Sequence, residues 1–148
     1  PKIMVKHGLL SSNKMKKMKY LMIFLLFIYS CSNEIQLTYE MKGTFVGYEP
    51  TSLMKVGNKQ IEIPGSKWRV EISDDKLSMI QVSDGQTISY YGGFNVKDNT
   101  EVSLTIIGSL TDDKYDQKFT PTIIFNKNNA KWFLKGVAGS EGCVLDKQ

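Results

Sequence analysis

From Ile35 onward the chain alternates apolar and polar residues with a period of two, and this restricts it to extended strands with one face buried. Ile35, Leu37, Tyr39, Met41, Gly43 and Phe45 fall on one face of an extended chain, and Gln36, Thr38, Glu40, Lys42 and Thr44 on the other. The pattern is clearest where Trp68, Val70 and Ile72 alternate with Lys67, Arg69, Glu71 and Ser73. It returns where Val102, Leu104 and Ile106 alternate with Glu101, Ser103 and Thr105. Between the runs sit residues that tolerate a positive φ: Gly57-Asn58, Asp74-Asp75, Asp84-Gly85, Asp98-Asn99 and Asn128-Asn129. Asp84-Gly85 is the strongest hairpin signal among them.

Taking those turns as boundaries predicts about eight to ten strands in an all-β domain. They run over Ile35 to Tyr48, Ser52 to Val56, Gln60 to Ile63, Lys67 to Ser73, Lys76 to Val82, Gln86 to Val96, Thr100 to Ser109, Lys118 to Asn126, Ala130 to Gly136 and Cys143 to Asp146. Most neighbours are a tight turn apart, so the strands form an antiparallel meander, which loses its exposed edges most simply by curling into an up-and-down barrel. A two-sheet β-sandwich shows the same pattern and is the alternative. Pro121 inside a strand implies an edge, a bulge or a strand end.

Lys16 to Cys31 is of another kind: a lysine cluster, an apolar run from Tyr20 to Tyr29, a small residue and a cysteine. The run is too short to span a bilayer, which takes about 20 residues, but has the length of a secretory h-region. Ile28-Tyr29-Ser30-Cys31 resembles the bacterial lipobox, whose cysteine is acylated and becomes the new N-terminus. The resemblance divides the chain into an upstream extension and signal peptide over 1–30 and one β-barrel domain on a short tether over 31–148. It implies lipid attachment at Cys31, the membrane as a partner, and a place at the outer membrane of a bacterial envelope.

The charge balance follows the same division. The whole chain carries 19 Lys and Arg against 15 Asp and Glu, but Lys2, Lys6, Lys14, Lys16, Lys17 and Lys19 all precede Cys31 and no acidic residue does. From Cys31 onward 13 basic residues face 15 acidic ones, so the domain lacks the positive field of a nucleic-acid binder. With Cys31 acylated, Cys143 has no partner for a disulfide and reads as a small buried residue of the last strand.

Gly43-Thr44-Phe45 is similar to the glycine-x-tryptophan start of the first lipocalin strand, with phenylalanine in the tryptophan position, and a lipid-anchored meander of this size resembles the small lipocalin-like lipoproteins of Bacteroidota. Tyr91-Gly92-Gly93-Phe94 followed by a strand over Glu101 to Ile107 also resembles secreted β domains of the META class. The first resemblance implies a barrel that holds a small apolar ligand or a glycan. A filled barrel that docks on another envelope protein is the alternative.

The chemistry of the domain argues against catalysis. Its chain has one histidine, His7, upstream of Cys31. Triad hydrolases need an imidazole to take the nucleophile's proton, and most zinc sites use histidine or several cysteines. Asp112, Asp113 and Asp116 fail as an EF-hand loop, because Gln117 falls at the obligatory glycine and Ile123 at the bidentate glutamate. No catalytic residue, metal or cofactor is expected. The aromatic residues point to binding: Trp68, Tyr90, Tyr91, Phe94 and Trp132 are the candidate ligand-contacting residues. Neighbours such as Tyr90 and Tyr91 must face opposite sides of a sheet, and Gly92-Gly93 leaves room for a ligand or another backbone to approach.

Overall fold

The computed structural model describes residues 35–136 and 140–148. The signal-like segment, including Cys31, and the stretch 137–139 lie outside the described residues. The described residues are all-β, and eight strands close into an antiparallel up-and-down barrel. In barrel order these are β1 (Gly43–Glu49), β4 (Ser66–Ile72), β5 (Leu77–Ser83), β6 (Gln86–Asn99), β7 (Ser103–Asp112), β9 (Thr122–Asn126), β10 (Lys131–Leu134) and β11 (Cys143–Lys147), with β11 returning to β1. The short β8 (Lys118–Phe119) extends the sheet beside the upper part of β7.

Two expected strands, β2 (Ser52–Val56) and β3 (Lys59–Ile63), stand apart from the barrel wall. They pair only with each other, as a hairpin inserted between β1 and β4. Gly57, at φ 61, takes the first central position of its two-residue loop. Asp84 and Gly85, at φ 48 and 73, make the two-residue connection between β5 and β6 that Asn-Gly-like pairs favour.

The alternation is legible in burial. Trp68, Val70 and Ile72 on β4 face the interior while Lys67, Arg69 and Glu71 face out. Several boundaries differ from the sequence reading, among them the end of β7, which runs on from Ser109 to Asp112, and three have a visible cause. The first strand begins at Gly43, because Tyr39–Met41 is a one-turn 3-10 helix closed by the Met41 amide donating to the Thr38 carbonyl. That turn buries Leu37 and Met41 but swings Tyr39 out to 87% exposure. Asp98-Asn99 is not a turn: β6 runs through it with a bulge between Val96 and Asp98, and the chain reverses at Thr100, whose amide donates to the Ser103 carbonyl. Pro121 separates β8 from β9, a strand-end position, and its carbonyl accepts from the Gly108 amide.

Antiparallel register sorts the strand ends into two groups. Gly43, Ile72, Leu77, Asn99, Ser103, Asn126, Lys131 and Lys147 share one end with the 3-10 turn. This end is closed. Phe45, Phe125 and Trp132 meet above Leu37 and Met41, with ring centroids 6.3 Å apart for Phe45 and Trp132 and 5.0 Å for Phe125 and Trp132. The Trp132 indole N–H donates to the Met41 carbonyl at 3.1 Å, which satisfies the one polar atom of a fully buried ring. Phe45 and Trp132 thus plug this end together. Beside and above them Val70, Met79, Leu104, Ile106, Ile123 and Leu145 fill the lower barrel with side chains.

Candidate functional site

The other end is the mouth, and its inward positions have a different character. Continuing the inward register upward places Glu49 on β1, Ser66 on β4, Gln81 on β5, Tyr90 on β6 and Asp112 on β7. Glu49, Ser66 and Asp112 are buried despite being polar. Buried polar groups need partners, and each of these has one.

Glu49 accepts from the Trp68 indole N–H at 3.1 Å through one carboxylate oxygen and from the Ser140 hydroxyl through the other. A second chain of bonds crosses β4, β5 and β6. The Tyr90 hydroxyl donates to Gln81 Oε1 at 3.2 Å, and Gln81 Nε2 donates to Ser66 Oγ at 2.9 Å. Burial, then the neighbouring charges of Asp112 and Asp113, pushes the Tyr90 phenol above its ordinary value, so it remains a donor at neutral pH. Asp112 accepts from the amides of Lys114, Tyr115 and Gln117 and thereby folds the loop after β7. These amides, Tyr115 first, hold its carboxyl below the usual range.

Beneath this polar rim lies an aromatic floor. The Trp68 and Phe119 rings stack at 6.1 Å with planes 9° apart, and Tyr90 sits 4.7 Å from Phe119. A recess of about 310 Å³ between Tyr90, Asp112, Tyr115, Gln117 and Phe119 opens over the Tyr90 and Phe119 rings, and a second of about 250 Å³ between Pro64, Gln81, Ser83, Asp84 and Gln86 shares Ile88 with it. Together they have the size of a small-ligand subsite, with a ring surface below and hydroxyl and amide groups around it. Both buried mouth carboxylates, Glu49 and Asp112, are occupied by donors of the chain itself, so the arrangement suits recognition by hydrogen bonding and ring contact.

The five aromatic candidates separate. Trp68 and Tyr90 meet in the mouth floor. Phe94 faces inward lower down, against the filled core. Trp132 is fully buried at the closed end. Tyr91 points out of the barrel, 56% exposed, beside Glu71, Ser73 and Ser78. The gap at Gly92 is taken by backbone: a Cβ there would stand 2.1 Å from the Ser109 carbonyl oxygen of β7. Sequence reasoning missed Glu49, Ser66, Gln81 and Phe119. Glu49 was one residue from being found, since Phe45, Gly47 and Glu49 continue one face. Ser66 and Gln81 carry no pattern of their own and become visible only through register.

Cys143 faces inward beside Glu49, and burial followed by that charge pushes its thiol up to about 11. It is a buried, protonated core residue.

No family model, curated protein or solved structure matches the chain.

Proposed function

We propose that the chain is a lipid-anchored envelope protein whose barrel mouth binds a small ligand, and that a glycan suits it better than a long apolar molecule. One observation carries this reading: the inward positions are apolar and filled below Trp68 but polar and networked above it, around Tyr90, Gln81 and Ser66. A barrel packed only for stability gains nothing from buried polar groups at one end. A long acyl chain would need the space that Val70, Met79 and Ile106 occupy. A sugar ring needs an aromatic face and directed hydrogen bonds, both present at the rim. The absence of any histidine after His7 favours binding over catalysis.

The test uses Trp68 as reporter. With Trp132→Phe removing the other tryptophan, emission is followed while neutral and amino-sugar oligosaccharides, and separately a fluorescent fatty acid, are titrated in. Saccharides should shift the emission and lose that effect in Tyr90→Phe combined with Gln81→Ala. If no saccharide responds and native mass spectrometry of protein from its own host shows no adduct, the second reading takes over: a filled barrel that docks on another envelope protein. An outer groove of about 630 Å³, where Val46, Tyr48, Ile80 and Val82 lie beside Lys67 and Arg69, supports that second reading.

A further inference from the structure

We infer that the closed end of the barrel rests on the anchoring membrane and that the mouth opens away from it, so that whatever it binds arrives through water. The inference rests on the lipid-anchor reading of Cys31. Cys31 stands four residues before Ile35. Even a fully extended tether of that length reaches only about 14 Å.

The chain enters the barrel from the closed end. Ile35 and Gln36 border a groove with Asn99 and Lys127, which belong to strand ends and turns at that end, and Leu37 and Met41 plug it. From Gly43 to Glu49 the seven residues of β1 cover roughly 20 Å along the strand before the mouth is reached. The β2–β3 hairpin leaves the wall between Glu49 and Ser66, at the mouth. A tether this short keeps the end it enters close to the bilayer.

The closed end also has the surface for it. Tyr39 is 87% exposed and Val102, in the turn after β6, is 56% exposed. An exposed tyrosine and an exposed apolar side chain at one end suit the headgroup level of a membrane. Four lysines at this end are engaged within the chain: Lys42 with Asp74, Lys131 with Asp146 at 2.8 Å, Lys147 with the Tyr39 carbonyl and Lys127 with Asn99. The recesses lined by Gln81 and Tyr90 then face the aqueous compartment, which selects a water-borne ligand over a lipid drawn from the same bilayer.

The experiment places a fluorophore on acylated protein in vesicles that contain headgroup-nitroxide lipid. On a Cys143→Ala background, single reporters are put at Glu101→Cys at the closed end, Gln86→Cys at the mouth and Lys55→Cys on the hairpin. The Glu101 reporter should lose most of its emission, while the Gln86 and Lys55 reporters keep the emission they have without quencher. Vesicle-bound protein in which Gln86 or Lys55 is quenched as strongly as Glu101 overturns the orientation and leaves the anchor intact. Protein that binds vesicles equally well as Cys31→Ala overturns the anchor, and the orientation with it.

Discussion

Trp68 does two jobs at one position, and they can be separated. Its ring stacks on Phe119 and its N–H serves the buried Glu49 carboxylate. Trp68→Ala removes both and should cost about 3–5 kcal/mol in urea denaturation, as large aromatic truncations in cores do. Trp68→Phe keeps a ring and removes a donor, for a cost of about 1–3 kcal/mol. Equal losses in the two variants would make the hydrogen bond, and not the stacked ring, the source of the stability. Cys143 gives a prediction in pH. Its folded thiol titrates near 11, above the unfolded value, so its contribution is complete below about pH 8.5 and is lost as pH rises toward 11. Native protein at pH 8 should resist iodoacetamide at Cys143 and become reactive on unfolding; rapid alkylation at pH 8 would place the thiol at the surface. Individual residues were also where the sequence was hardest to read. Asn128-Asn129 marked the β9–β10 turn correctly, yet the left-handed residue is Ala130 at φ 52, because the four-residue loop between Asn126 and Lys131 sets which position must reverse.

At the scale of elements, period-two alternation exposed nearly all of the barrel wall, since each strand has one wet face and one dry one. It could not separate the β2–β3 hairpin from the wall. Leu53, Val56 and Ile61 are as apolar as wall residues, but they are 63%, 51% and 46% exposed. Only long-range pairing reveals this, as Glu49 pairs directly with Ser66 and leaves the hairpin outside the ladder. Replacing residues 50–65 by Asn-Gly should therefore close β1 onto β4 by a two-residue turn. The shortened protein should show the same far-ultraviolet strand signal and a melting point within a few degrees of the parent. A molten, dye-binding product would mean that the hairpin covers core at the mouth. The opposite failure occurred at the 3-10 turn. Leu37 and Met41 satisfy both an alternating pattern and an i, i+4 spacing, and the turn was decided by the need to cap the barrel end.

For the whole molecule, closure was the step that the turns implied and the pattern alone did not fix. A sandwich and a barrel share strand lengths and alternation; they differ in whether the first and last strands meet. Here they do, with Phe45 opposite Lys147 and Val46 opposite Asp146. The mouth was legible only in part, because Trp68 and Tyr90 announce themselves as aromatics while Ser66 and Gln81 acquire meaning from the strands that bring them together. The β1–β11 seam also sets an order of events. Among the described strands, every other barrel seam joins staves that succeed one another along the wall and forms as soon as the next one is made. This seam joins a stave near residue 45 to one near residue 145, and must await about a hundred residues of synthesis. Until then the growing sheet has two raw edges and no interior sealed from water. On the export route proposed above, such a chain stays pliable during its passage through the membrane and hardens only on the far side. One shortened before Cys143 would keep its hairpins and never become a ring.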